Sequence, residues 1–155
     1  MEELANKHSV KIGLEGSVVV LEYEKTATLE AARMLDEILV KRFDASPGSK
    51  WALLVVIDAN NPPPDNQTRD AISKAMKGHG GRVSALAYVV LGTGFRAGSI
   101  RAALVTLNLL SQSEYPKKVF KQTDDAVEWI GATAPHVLPA LQLPQTKLAV
   151  AQFRS

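Results

Sequence analysis

Trp51-Ala52-Leu53-Leu54-Val55-Val56-Ile57-Asp58 is a run of seven apolar residues closed by an acid. It is too short for an ordinary helix and offers no polar side chain to water, so it predicts a strand covered on both faces. Val83 to Leu91 reads the same way. Two such strands in one chain, separated by a stretch long enough for a helix, call for parallel pairing with helical crossovers.

On the N-terminal side, Val10, Ile12 and Leu14 alternate with Lys11 and Gly13, Glu15-Gly16 supplies a turn, and Val18, Val20 and Glu22-Tyr23 resume the β pattern, giving a hairpin. Thr26 or Thr28 can cap a helix whose Leu29, Ala32, Leu35, Leu39 and Phe43 repeat at helical spacing, ending near Asp44 before Ser46-Pro47-Gly48. Between the two buried strands, Asn60-Asn61-Pro62-Pro63-Pro64 is a stiff connection. Asp65, Asn66 or Thr68 then caps a short helix reaching about Lys77, with Ala71, Ile72, Ala75 and Met76 inward.

On the C-terminal side, Gly92-Thr93-Gly94 breaks the second buried strand. Ile100, Ala103, Leu104, Leu107 and Leu110 mark the apolar face of a third helix ending near Ser111. Val119-Phe120 is a brief strand, and Thr123 is expected to cap a fourth helix carrying Asp124 and Asp125 where the helix dipole favours acids, with Val127 and Ile130 inward. The order is ββαβαβαβα: an α/β domain with a mixed, mostly parallel sheet of four to five strands and about four helices. The domain is expected to span residues 1–131. Residues 132–155, with Pro135, Pro139 and Pro144 and no acid after Glu128, are expected to form an apolar tail that wraps the domain or meets a partner.

The chain has 155 residues, 46% of them apolar, and no Cys, which suits one domain in a reducing compartment and excludes thiol chemistry and Cys-ligated metals. It starts Met-Glu-Glu, unlike a basic signal peptide, and has no apolar run near the roughly 20 residues of a membrane helix, so a cytoplasmic protein without a membrane span is expected. The net charge of +2 is unevenly spread. Residues 1–44 hold six bases against nine acids, whereas Arg69 to Lys121 hold nine bases against Asp70 and Glu114. Such a stretch can steer an acidic partner, or it can be a solvated face. Aromatics interleaved with those bases are few, so no nucleic acid is expected as a partner.

Val55-Val56-Ile57-Asp58 with its Pro-rich turn, Gly92-Thr93-Gly94-Phe95-Arg96-Ala97 opening a helix, and Tyr115-Pro116-Lys117-Lys118-Val119-Phe120 before Asp124-Asp125-Ala126-Val127-Glu128-Trp129-Ile130 together resemble the STAS superfamily. Within it the pattern is similar to the bacterial SpoIIAA-like proteins, also described as CRAL-TRIO-like, over roughly residues 8–131. The resemblance implies a non-enzymatic regulatory domain that acts by docking to a protein partner. In anti-sigma-factor antagonists of that superfamily, phosphorylation at the start of the second helix turns docking off, adding about −1.5 to −2 charges. The corresponding turn here, Asp58 to Thr68, lacks Asp-Ser-Ser-Gly, and Thr68 is the hydroxyl nearest to that phosphosite. Asp58, Asn60 and Asp65 are its candidate interaction residues. An alternative is a carrier or sensor of a small ligand between the helix at 95–111 and the sheet, apolar and lipid-like as the resemblance also implies, or anionic.

Residue chemistry adds one candidate site. Gly92, Thr93 and Gly94 follow a strand and open a helix, where free N–H groups can hold an anion with help from Arg96 and Arg101; equally, the glycines can serve only to turn the chain. The segment departs from the dinucleotide fingerprint and the next strand ends without the acid a ribose needs, so no cofactor is expected. His8, His79 and His136 have no metal-ligand spacing, and Ala97-Gly98-Ser99-Ile100-Arg101 is not a nucleophile elbow, so neither a metal nor a catalytic residue is expected. Self-association to a homodimer is expected to run through the apolar tail or an edge strand.

Overall fold

The computed structural model describes the backbone of residues 1–110 and 113–155, and the side chains of 1–106 and 113–155. Its elements are strands β1 (Glu2–Lys7), β2 (Val10–Glu15) and β3 (Val18–Tyr23), helix α1 (Leu29–Ala45), β4 (Trp51–Asp58), α2 (Asn66–Gly78), β5 (Val83–Leu91), α3 (Gly94–Leu110), β6 (Lys117–Phe120), α4 (Thr123–Thr133) and α5 (Leu143–Arg154). The class matches the expected α/β domain, but the sheet has six strands rather than four to five, and there are five helices rather than about four. The additional strand is β1, which pairs antiparallel with β2 through a two-residue turn in which His8 and Ser9 both have positive φ, 55° and 61°. That turn geometry is normally announced by Asn-Gly, and β1 itself is Glu-Glu-Leu-Ala-Asn-Lys, an exposed edge with no alternation to betray it. The expected end of the third helix near Ser111, and the side chains of Leu107 and Leu110 expected on its inner face, lie outside the described residues, and α4 has Gln122 rather than Thr123 at its N-cap, with Thr123 its first helical residue.

The strands stand in the sheet in sequence order, β1-β2-β3-β4-β5-β6, antiparallel up to β3 and parallel from β3 to β6. Each crossover therefore steps one place in the same direction, and right-handed connections put α1, α2 and α3 on a single face. There Leu35, Leu39 and Phe43 of α1 and Met76 of α2 pack on Val19, Leu21, Leu53 and Leu86, and Ala97 of α3 packs on Val90. The alternate side chains, Val18, Val20, Ala52, Leu54, Val56, Ala85, Ala87 and Val89, form a second, equally buried face. It is covered by Ala126, Val127 and Ile130 of α4, by Ala134, Val137 and Leu138, and by Val150 of α5. The alanines on β4 and β5 let α4 approach the strands closely, and Gly131 does the same for its contact with the C-terminal segment: a Cβ there would lie 2.7 Å from a methyl of Leu143.

Two polar ties fix α1. Nε2 of His79, the C-cap of α2, lies 2.7 Å from Oδ1 of Asp36. Arg82 donates to the carbonyls of Phe43 (3.1 Å), Ser46 (2.6 Å) and Ser49 (2.9 Å), and its guanidinium sits over the Phe43 ring, closing the carbonyl end of α1 that the helix cannot satisfy itself.

Leu138 is fully buried against the sheet. Leu138→Ala is expected to lower unfolding stability by about 2–5 kcal/mol, the cost of emptying a core Leu site. Urea denaturation measures this directly, and a midpoint equal to the parent's would contradict the assignment of Leu138 to the core.

Candidate functional site

The parallel strands β3, β4 and β5 all point their carboxyl ends to one edge of the domain, and the loops leaving them carry the residues singled out by sequence. After β3, Thr28 caps α1 by accepting the Ala31 N–H at 3.2 Å. After β4, Asp58 is half-buried and its Oδ1 accepts the Asn60 N–H at 2.8 Å, closing a tight turn ahead of the prolines. The two loops are tied together: Thr26 Oγ1 donates to Pro62 O (3.0 Å) and Asn61 Nδ2 to Tyr23 O (3.3 Å). Ala59 N–H reaches Leu91 O at 3.0 Å and so adds the end of β5 to the same framework.

Between the starts of α1 and α2 these ties leave an open groove lined by Thr26, Ala27, Thr28, Glu30, Pro63, Asp65, Gln67 and Thr68. Asp65 is the N-cap of α2, its Oδ1 2.7 Å from the Thr68 N–H. That N–H, followed by the Thr68 hydroxyl, holds the Asp65 carboxyl below its ordinary value. Thr68 is only 2% exposed, the one fully buried residue of α2, and Asn60 and Asp65 are exposed at the rim. Asp58, Asn60, Asp65 and Thr68 thus belong to one loop system.

The Gly92–Gly94 turn stands at the neighbouring strand end. Gly92 and Gly94 have φ of +109° and +83°, and a Cβ on Gly92 would lie 3.4 Å from that of Ala59, so the chain needs glycine at Gly92 for both conformation and space. Thr93 and Arg96 are exposed. Arg101 does not face an anion position at the turn. Its Nη2 donates to Val90 O (2.7 Å) and Gly92 O (2.6 Å) and its Nε to Val90 O (3.2 Å), which makes it a clamp on the end of β5. Sequence could not reveal this, because Arg101 meets those carbonyls only once α3 folds back along the strand. Along the seam where an apolar ligand was expected, Ile100 and Leu104 pack with Ala59, Val90, Ala97 and Val119.

Burial also sets the tyrosines packed on the α1 face of the sheet. Tyr23 and Tyr88 are pushed up to about 12 by desolvation, and Tyr115 is raised by burial and by Glu114, so all three hydroxyls keep their protons at neutral pH. Among the described residues no group of three His, Asp or Glu side chains could hold a metal ion, and no helix is long and apolar enough to cross a membrane. Because the strand order never reverses between β3 and β6, the crossover helices open no crevice of the kind that holds a nucleotide at a switch point.

This architecture has a counterpart among solved structures. A protein of the DUF3478 family from Shewanella loihica PV-4, described as uncharacterized and as having a SpoIIAA-like fold, superposes with a TM-score of 0.63 over 81% of this chain and 96% of that one, at 18% identity. The fold is SpoIIAA-like. No protein-family model and no curated protein matches the sequence. In this SpoIIAA-like domain the expected resemblance is met at the level of architecture, and the loop system at the strand ends is built from this chain's own residues.

Because its folded-state pKa is depressed, Asp65 contributes stability that is present above the ordinary carboxylate range of about 4 and is lost as pH falls through the lowered value. Asp65→Asn keeps a cap oxygen but cannot titrate. The parent's advantage in thermal midpoint over this variant should therefore shrink on acidification. An offset constant with pH would contradict the role given to the Asp65–Thr68 cap.

Proposed function

We propose that this SpoIIAA-like domain acts by binding, as a non-enzymatic regulatory module that docks a protein partner on the loops at the carboxyl ends of β3 and β4. The observation that supports this is the rim around the groove: two loops from different strands, joined by Thr26–Pro62 and Asn61–Tyr23 hydrogen bonds and stiffened by three consecutive prolines. Such a surface loses little conformational freedom when a partner settles on it, which is what preorganisation contributes to affinity. Asn60, Asp65 and Gln67 present polar groups at the rim, and Asp58 and Thr68 hold it from beneath. The groove is open to solvent, which would admit a side chain or short segment of another protein.

In this reading Thr68 is a positioning residue. Its hydroxyl bonds the Asp65 carboxylate inside the first turn of α2, so a phosphate placed there would set negative charge against Asp65 and open that turn. A modification at Thr68 would switch docking by unmaking the rim.

A photocrosslinking amino acid placed at Asn60 or at Gln67 in cells of the source organism is expected to trap one common protein. The same group at Lys147, on the far side of the sheet, should not trap it. Failure of both rim positions to yield a shared product, or equal capture from Lys147, would overturn the assignment.

A further inference from the structure

Strand β1 ends the sheet with one side unused: β2 pairs along its inner side, and among the described residues no strand pairs along the outer one. Which of its backbone groups point outward follows from the turns. In an antiparallel pair joined by a two-residue turn the flanking residues exchange both hydrogen bonds, and bonded and unbonded pairs then alternate. The Gly16-Ser17 turn makes Glu15–Val18 a bonded pair, so Lys11, Gly13 and Glu15 bond to β3. The His8-Ser9 turn does the same for Lys7–Val10, so Val10, Ile12 and Leu14 bond to β1, opposite Lys7, Ala5 and Glu2. Glu3 and Asn6 stand opposite Gly13 and Lys11, whose N–H and C=O groups are turned to β3, and their own backbone groups point away from the sheet.

The same register sorts the side chains. Glu2, Ala5 and Lys7 share the face of Leu14, Ile12 and Val10, on the α1 side, where the Glu2 carboxylate accepts from Arg42. Glu3 and Asn6 lie on the opposite face and line one cleft with Lys11 and α5. A bulge at Leu4 puts Leu4 and Ala5 together on the α1 side, half-buried against that core.

The strand, Glu-Glu-Leu-Ala-Asn-Lys, is complementary to itself read backwards. In an antiparallel pair with a two-fold axis between Leu4 and Ala5, Glu2 stands opposite Lys7 of a second copy, Glu3 opposite Asn6, and Leu4 opposite Ala5. The outward backbone groups of Glu3 meet those of Asn6 on both sides of the axis, and the two bulges fall opposite each other, so the spacing is equal on both strands. The faces agree as well. Glu2 and Lys7 are both on the α1 side, and Lys7 has no ion pair among the described residues of its own chain. On the other face the Glu3 carboxylate meets the Asn6 amide, an acceptor against a donor. Charges that guard an edge against indiscriminate pairing here select one arrangement, because parallel pairing in register sets Glu2 on Glu2 and Lys7 on Lys7. A contact between β1 and the other edge strand, β6, does not close and adds copies without limit.

We propose that β1 is a self-recognition edge, through which two copies of this chain pair antiparallel in that register and join their six-stranded sheets into one. A single strand pair buries less than the roughly 1,200–2,000 Å² of a standard interface, so the dimer is weak and depends on concentration.

Sedimentation equilibrium of the full chain over a wide concentration range provides the test. A monomer–dimer equilibrium is expected, with no larger species. Asn6→Pro removes an N–H that β2 does not use and should abolish the dimer while the thermal midpoint stays near the parent's. Glu2→Lys and Lys7→Glu each set like charges opposite one another at two places and should weaken association by about tenfold or more. Mixed in equal amounts, these two variants regain both opposite-charge pairs and should associate again, a recovery that misfolded chains would not show. Leu141→Ser combined with Leu148→Ser, which alters the exposed apolar side chains of the C-terminal segment, should leave the dimer unchanged. A monomer at every concentration, growth beyond the dimer, or an undiminished dimer in Asn6→Pro would overturn the proposal. So would loss of the dimer in the Leu141 and Leu148 variant, or failure of the mixed charge variants to recover association.

Discussion

The structure depends on how the second face of the sheet is kept from water. A sheet wound in one direction by right-handed crossovers receives all its connecting helices on one side. The valines, leucine and alanines on the other side of β3, β4 and β5 would stand exposed, and a bare apolar patch of that size invites association. The chain resolves this after its last strand. Helix α4 lies across β4, β5 and β6, and the segment from Ala134 to Val150 extends the cover toward β2, with Met1 and Phe153 closing in around Gly13. Pro139 and Pro144 shape that segment: Pro139 leads into the short 3₁₀ turn Ala140–Gln142, and Pro144 sits in the first turn of α5, where its missing N–H costs nothing.

The same winding decides what kind of site the domain has. A doubly wound sheet places helices on both faces and opens a cleft between them at the point where the order reverses; this sheet offers only a row of loops at its carboxyl edge. These loops are cross-tied by hydrogen bonds, and their charged groups are turned to structural tasks: Asp58 holds Asn60, Asp65 holds Thr68, and Arg101 holds the end of β5. The result is an outer surface whose loops are tied to one another.

What could be read from sequence follows from how local each signal is. β4 and β5 were legible because a strand buried on both faces must be apolar at every position, and the caps of α1 and α2 were narrowed to Thr26 or Thr28 and to Asp65, Asn66 or Thr68 because capping is a local matter. β1 was illegible because nothing in Glu-Glu-Leu-Ala-Asn-Lys distinguishes an exposed edge strand from a loop, and its His8-Ser9 turn is held by pairing with β2 rather than by its own preference. α5 was hidden by Pro144 and by glutamines, since the inward set of Thr146, Ala149 and Val150 makes a narrow stripe. For the loops, sequence supplied Asp58, Asn60, Asp65 and Thr68 as neighbours along the chain, but not Thr26 or Asn61, whose partners lie 36 and 38 residues away. Arg101 looked like a free cation because its carbonyl partners carry no side-chain signature.

The Arg82 clamp bears on how the chain reaches this state. The Phe43 carbonyl near the end of α1, and those of Ser46 and Ser49 just beyond it, also accept from a guanidinium that lies 33 to 39 residues downstream, on the threshold of β5. In the nascent or unfolded chain α1 can form from local bonds, but its end is held there only by the Ser46 N–H to Phe43 O and Ser49 N–H to Ser46 O bonds until α2 has crossed and β5 has taken its place beside β4. Completion of that helix is therefore a late, long-range event, and fraying at Phe43–Ser49 reports on the docking of β5 rather than on the intrinsic propensity of α1.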